Sequence, residues 1–101
     1  MSNYRKTDIN KLNDLWKAIL KLQNSPECAK FFRDLCTKEE LRAMSERWQA
    51  AKKISQNESY RDIAKDVGMS VTTVARVAYW LNHGKGGYKL ILKRLGILKS
   101  S

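Results

Sequence analysis

The 101-residue sequence has very little histidine, cysteine and proline, and these shortages exclude several classes of protein. It contains one histidine, and its two cysteines, Cys28 and Cys36, do not form a CxxC pair, so no zinc-ligand set is present. An H-E-x-x-H sequence, a nucleophile elbow and a G-x-x-x-x-G-K-[ST] loop are all missing. We therefore expect no metal, no cofactor and no enzymatic activity, and we expect both thiols to be buried.

Long apolar runs are also missing. No run approaches the roughly 18 residues of a membrane-spanning helix, and residues 1–11 lack the apolar region of a signal peptide. A cytoplasmic protein without a membrane partner is therefore expected. The one proline, the five glycines and the lack of alternating β-branched runs favour an all-α fold. The length favours a single domain, residues 1–101.

Acidic residues are scarce relative to basic ones. The chain has 20 Lys and Arg against 10 Asp and Glu, a formal net charge of +10 and a pI near 9.9. Residues 85–101 contain no acid but hold Lys85, Lys89, Lys93, Arg94 and Lys99. Such an excess is typical of proteins that bind polyanions, because Lys and Arg neutralise phosphates. A basic helical module that binds RNA or an anionic membrane surface is the alternative to a DNA-binding protein.

Apolar periodicity and capping residues predict about six helices. The first runs from Thr7 or Asp8, either of which could cap it, to about Gln23. Ser25 is predicted to cap the second, and a capping box of Thr37 and Glu40 begins the third. The later helices are predicted to begin after Ser59 and Ser70, with a short last helix over about residues 88–95.

Residues 59–83 have the pattern of a helix-turn-helix. Gly68 ends one short helix, because glycine adopts the positive φ of a tight turn without steric cost. Ser70 can then cap a second helix, in which one apolar side is predicted to comprise Val71, Val74, Val77, Ala78 and Leu81. The opposite side has the short hydroxyls, the methyl group and the longer polar side chains of a DNA-recognition helix. The predicted DNA contacts are Ser70, Val71, Thr72, Thr73, Ala75, Arg76, Tyr79 and Lys89.

The first helix has a wider apolar arc than a small core needs. Leu12, Leu15, Trp16, Ile19 and Leu20 form this arc. Surplus apolar surface on a helix is typical of an interface, although it could instead complete the core of a monomer. We interpret residues 1–36 mainly as dimerisation helices of a homodimer.

Three stretches resemble the tryptophan-repressor superfamily, most closely its tryptophan-repressor-like YerC/YecD branch. They read LCTKEELRAMSERWQAAKKI, SYRDIAKDVGMSVTTVARV and YWLNHGKGGYKLIL, and they span about residues 35–92. The resemblance implies an intertwined, all-helical homodimer whose first helices interlock. It also implies repression of transcription by binding to an operator in double-stranded DNA.

The resemblance further implies an effector pocket between the third helix and the recognition helix. Thr37, Arg47 and Arg76 match pocket positions of the family. Val77 and Trp80 stand where tryptophan-binding members have small residues, so we expect their bulk to fill the pocket. Tryptophan is therefore not expected as an effector. Arg47 could otherwise pair with a nearby glutamate, and Arg76 could contact a DNA phosphate.

Overall fold

The computed structural model describes residues 4–99 and contains six α-helices and no strand within them, which confirms the predicted all-α fold. No helix among these residues is long and apolar enough to cross a membrane. The chain forms two compact units, one up to Lys38 and one from Glu39. The helices are α1 (Lys6–Ile19), α2 (Ser25–Leu35), α3 (Lys38–Ser55), α4 (Tyr60–Val67), α5 (Val71–His83) and α6 (Gly87–Arg94).

The two helices of the N-terminal unit begin differently from the sequence prediction. Arg5 precedes α1. Its backbone N–H and its Nε donate hydrogen bonds to the Asp8 carboxylate, at 3.4 and 3.2 Å. Asn24, not Ser25, caps α2, because its side chain accepts a hydrogen bond from the Glu27 N–H at 3.0 Å. The predicted caps of both helices are thus wrong by one to three positions. Cys28 is exposed, so the expectation of a buried thiol is also wrong there.

A lysine near the end of α3 forms ion pairs with two acidic residues, one just before α4 and one in the last turn of α4. Asn57 takes a left-handed conformation, φ 65°, which Asn tolerates better than most residues, and it turns the chain after α3. The Lys53 ammonium then lies 3.6 Å from Glu58, just before α4, and 3.8 Å from Asp66, in its last turn. Ser59 caps α4 as predicted, accepting a hydrogen bond from the Asp62 N–H at 3.1 Å.

The turn between α4 and α5 has the predicted chemistry. Gly68 has φ +84° and follows the last residue of α4, and its N–H donates to the Ala64 carbonyl at 2.9 Å. Ser70 caps α5, since its Oγ accepts a hydrogen bond from the Thr73 N–H at 3.1 Å. The two helices of the motif are therefore joined through a glycine turn and a serine cap, as the sequence predicts.

Helices α3, α4 and α5 meet at a small core. It is a cluster of five buried residues, Ala50, Ala51, Ile63, Val74 and Val77. Ala78, Leu81 and Leu92 are also buried, which adds the rest of α5 and a residue of α6. The periodicity prediction for α5 is confirmed at Val74, Val77, Ala78 and Leu81. It is wrong at Val71, which is 51% exposed at the first position of the helix.

The positive φ at Gly68 gives a test of the turn. A Cβ added at Gly68 would meet no atom within 4 Å, so Gly68→Ala should introduce backbone strain without a clash. A left-handed non-glycine residue costs about 1–2 kcal/mol, and 1 kcal/mol corresponds to about 4–8 °C in Tm for a domain of this size. We expect Gly68→Ala to lower Tm by at least about 4 °C.

Gly87→Ala is the matched control for this strain. Its added Cβ also meets no atom within 4 Å, but Gly87 begins α6 without a positive φ. This substitution should leave Tm unchanged or raise it slightly. Thermal melts of the three proteins at one concentration measure the difference. Equal Tm values for the two variants would contradict the role of Gly68.

Candidate nucleic-acid interface

Helix α5 separates its residues cleanly into a buried side and an exposed side. Val74, Val77, Ala78 and Leu81 are buried. At about 100° per residue, Thr72, Ala75, Arg76, Tyr79 and His83 lie on the opposite arc, and all five are exposed. Val71 lies beside the buried side but is exposed at the first position of the helix. We call these six exposed residues the outer face of α5. Because the buried side fixes the rotation of the helix, the outer face is held toward solvent.

The hydroxyl groups at the start of α5 are used within the protein. Ser70 Oγ lies 2.8 Å from Thr73 Oγ1 and also accepts from the Thr73 N–H. Thr73 is partly buried, whereas Thr72 is exposed. Of the predicted contact residues here, Thr72 presents its side chain outward, while Ser70 and Thr73 mainly stabilise the first turn of the helix.

Aromatic side chains occupy the second half of α5. The Tyr79 ring packs edge-on against Trp80, with centroids 5.3 Å apart, and lies tilted against His83 at 4.8 Å. Tyr79 and Trp80 are 56% and 59% exposed. The outer face therefore changes along the helix from small side chains near its beginning to rings near its end.

The surface around the outer face is basic. No Asp or Glu follows Asp66 in the sequence, so α5 and α6 contain no acidic residue. Lys89, Lys93 and Arg94 are exposed on α6, which follows Gly86 and its left-handed conformation, φ +87°. Basic side chains on two consecutive helices, without carboxylates to compete, suit contact with a phosphate backbone.

A cleft of about 500 Å³ lies between α3, α5 and the beginning of α6. Its lining residues are Arg47, Thr73, Arg76, Val77, Trp80 and Tyr88. Within residues 4–99, neither guanidinium has a salt-bridge partner, so the suggested pairing of Arg47 with a nearby glutamate is not present there. The structure thus brings Arg47 and Arg76 to one cavity, and its volume is in the range that holds small ligands, about 300–1,000 Å³. Thr37 is exposed and belongs to the other compact unit.

The bulky residues of the cleft do not fill it. Val77 is 2% exposed and contributes to the core, while Trp80 is 59% exposed and lines the wall. The expectation that these residues fill the pocket is therefore wrong for this chain, because the indole of Trp80 is directed largely toward solvent.

Two lining residues of the cleft were not predicted from the sequence. Thr73 was assigned to DNA contact, and Tyr88 was not assigned to a pocket. Tyr88 stacks on Trp48 of α3, with centroids 6.4 Å apart and an interplanar angle of 15°. Two aromatic residues so far apart in the sequence give no local pattern that would reveal their pairing. Among the described residues, no group of three His, Cys, Asp or Glu side chains could hold a metal ion.

Comparison with known proteins agrees with this geometry. The family model described as Trp repressor protein matches residues 10–96. The uncharacterized protein YerC of Bacillus subtilis is 34% identical over 84 residues, covering 83% of this chain and 81% of that protein.

Solved structures give the same result for the fold. A candidate Trp repressor from Staphylococcus aureus is 41% identical, with a TM-score of 0.84 over 90% of this chain and 91% of that one. A TrpR-like protein from Eubacterium eligens is 37% identical, also with a TM-score of 0.84, over 90% of this chain and 94% of that one. The proteins of this family are regulators rather than enzymes. The helix-turn-helix, the arrangement of the helices and the sequence match together show that this chain belongs to the Trp repressor family.

Proposed function

We propose that this protein is a sequence-specific DNA-binding transcriptional regulator that represses its target genes as a homodimer. The observation that carries the proposal is the outer face of α5, which the core holds toward solvent on a helix-turn-helix without an acidic residue after Asp66. A recognition helix enters the major groove with its N-terminal residues at base edges. Because its partner is chromosomal DNA, we expect the protein in the cytoplasm.

The exposed residues divide into two roles. Val71, Thr72, Ala75 and Tyr79 are proposed to face base edges, since they lie on the outer face. Arg76 and Lys89 are proposed to contact phosphates, because both are exposed, on α5 and α6, and neither has a salt-bridge partner in residues 4–99. Ser70 and Thr73 contribute by fixing the first turn of α5.

The N-terminal unit supports the homodimer. Neither α1 nor α2 contains a buried residue, although α1 carries Trp16 at 51% exposure and is followed by Leu20 at 81%. Large apolar side chains that lack cover within one chain are typical of an interface. A second copy of the chain would cover them, and a two-fold dimer would place two α5 helices on half-sites about 34–36 Å apart.

DNA binding should depend steeply on salt. Operator fragments can be selected from a random duplex library and their Kd values measured at 50 and 200 mM salt. If a dimer contacts about 6–10 phosphates, its affinity should fall roughly 10³- to 10⁵-fold over this range. Binding that does not change with salt, or a preference for single-stranded RNA or anionic vesicles over duplex DNA, would contradict the proposal.

Two single substitutions distinguish the proposed roles and serve as controls for each other. Lys89→Gln should weaken binding to all duplexes alike and reduce the salt slope by about 1 for each lost phosphate contact. Thr72→Ala should leave the slope unchanged but alter the sequences selected, at a cost of about 1–3 kcal/mol if a base contact is lost.

The homodimer can be tested by sedimentation at micromolar concentration. The wild-type protein should sediment at twice 11.7 kDa. Leu12→Glu and Trp16→Glu should give monomers or aggregates, because an unpaired charge buried in an interface is costly. Asn10→Glu, on the opposite side of α1, should remain dimeric. A wild-type protein that sediments only at 11.7 kDa would contradict the proposal.

We further propose that L-tryptophan does not control this protein. Arg47 and Arg76 could hold a carboxylate, and the cleft is not filled, but Val77 and Trp80 line it where tryptophan-binding members of the family have small residues, which leaves less room for an indole beside α5. An effector changes DNA affinity only if it prefers one arrangement of the helices. Titration calorimetry and operator binding with millimolar L-tryptophan should show no coupling. Saturable binding with at least a tenfold gain in operator affinity, about 1.4 kcal/mol, would contradict this.

A further inference from the structure

The first turn of α5 presents methyl groups rather than polar groups to solvent. Val71 is 51% exposed, and Thr72 and Ala75 are exposed beside it. Val71 and Ala75 are four residues apart, so they are neighbours on the helix surface, and Thr72 lies next to both on the outer face. We call these three residues the methyl patch.

The fold does not account for the methyl patch. The core side of α5 is completed by Val74, Val77, Ala78 and Leu81, and Val71 lies outside it. A branched apolar side chain half exposed at the beginning of a helix gains little from folding, since burial is what makes it favourable. Val71 lies at the beginning of the helix, which is the part proposed to enter a groove. Its exposure there therefore points to a ligand with apolar atoms.

Polar readout is limited at the same place. The Ser70 and Thr73 hydroxyls are 2.8 Å apart and bonded to each other. The first turn has no Asn, Gln, Arg or Lys, which are the side chains that pair with adenine or guanine in a bidentate way. The Thr72 hydroxyl can bond to several bases and so discriminates little between them. The methyl groups remain as the feature that distinguishes one base pair from another.

Thymine is the base that matches this chemistry. Its C5-methyl group projects into the major groove, and small apolar side chains contact it there. We propose that Val71, Thr72 and Ala75 select operators by packing against thymine methyl groups in each half-site. This inference rests on the proposed function and adds to it the feature of the DNA that the first turn of α5 recognises.

The test removes the methyl group without altering the protein. In a selected operator, single thymines are replaced by deoxyuridine, which keeps every base-pairing group and lacks only the C5-methyl. At the positions that face α5, affinity should fall about fourfold for each methyl lost from the interface, which corresponds to about 0.8 kcal/mol. At outlying thymines of the same duplex, the replacement should have no effect.

A second comparison restores the methyl on another base. At the sensitive positions, a 5-methylcytosine–guanine pair should bind more tightly than a cytosine–guanine pair, because only the former supplies a methyl group in the groove. Equal affinities for this pair of duplexes would count against recognition of the methyl itself.

Protein variants assign the effect to the patch. Val71→Ala should bring the ratio of the affinities for thymine and uracil at one position close to 1. Val71→Thr, which has a similar shape, should reduce this ratio by a smaller amount. Lys89→Gln should weaken both duplexes equally and leave the ratio unchanged. Operator binding with equal affinity for thymine and uracil at every position would overturn this inference alone. No duplex binding at all would overturn the proposed function, and this inference with it.

Discussion

The packing of Ile63 against Val74, Ala50 and Ala51 determines the orientation of α5, on which the candidate DNA-binding surface depends. These side chains form one buried cluster at the meeting point of α3, α4 and α5. α3 contributes its two fully buried alanines to this cluster. Since Val74 and Val77 must face this cluster, the rotation of α5 is fixed, and Thr72 and Ala75 are directed outward. Val71 is exposed beside them at the first position of the helix. The orientation of the candidate DNA-binding surface is thus a consequence of the core.

The same constraint shapes the cleft beside the recognition helix. Arg76 and Trp80 lie at the edge of the outer face, and Arg47 approaches from α3 beside Trp48, whose ring stacks on Tyr88. A ligand in the cleft would therefore contact α3, α5 and α6 together. Any molecule that bound there with a preference for one arrangement of these helices would change how α5 meets DNA. The guanidinium groups of Arg47 and Arg76, which have no salt-bridge partner within residues 4–99, would favour an anion as such a molecule.

Local sequence patterns predicted most of the fold because the forces involved are local. Gly68 and Ser70 were identified from turn and capping chemistry, and the apolar period of α5 located four of its buried residues. Where two residues could serve equally, the pattern failed: Asn24 and Ser25 are adjacent, and both are good caps. Val71 was misassigned because periodicity describes a direction on the helix but not where the core ends. The exposure of Trp80 and its edge-on contact with Tyr79 depend on side-chain rotation, which periodicity does not determine.

Backbone amide resonances of the ¹⁵N-labelled protein, titrated with a selected operator, would test most directly that the outer face of α5 is the surface that meets DNA. We expect the largest shifts at residues 71–76 and 79, together with Lys89 on α6, and much smaller shifts with a scrambled duplex of equal length and charge. The core amides of Val74 and Leu81 should remain protected from hydrogen exchange in both titrations. Operator-specific shifts confined to α1 and α2, with residues 71–79 unchanged, would contradict this central claim.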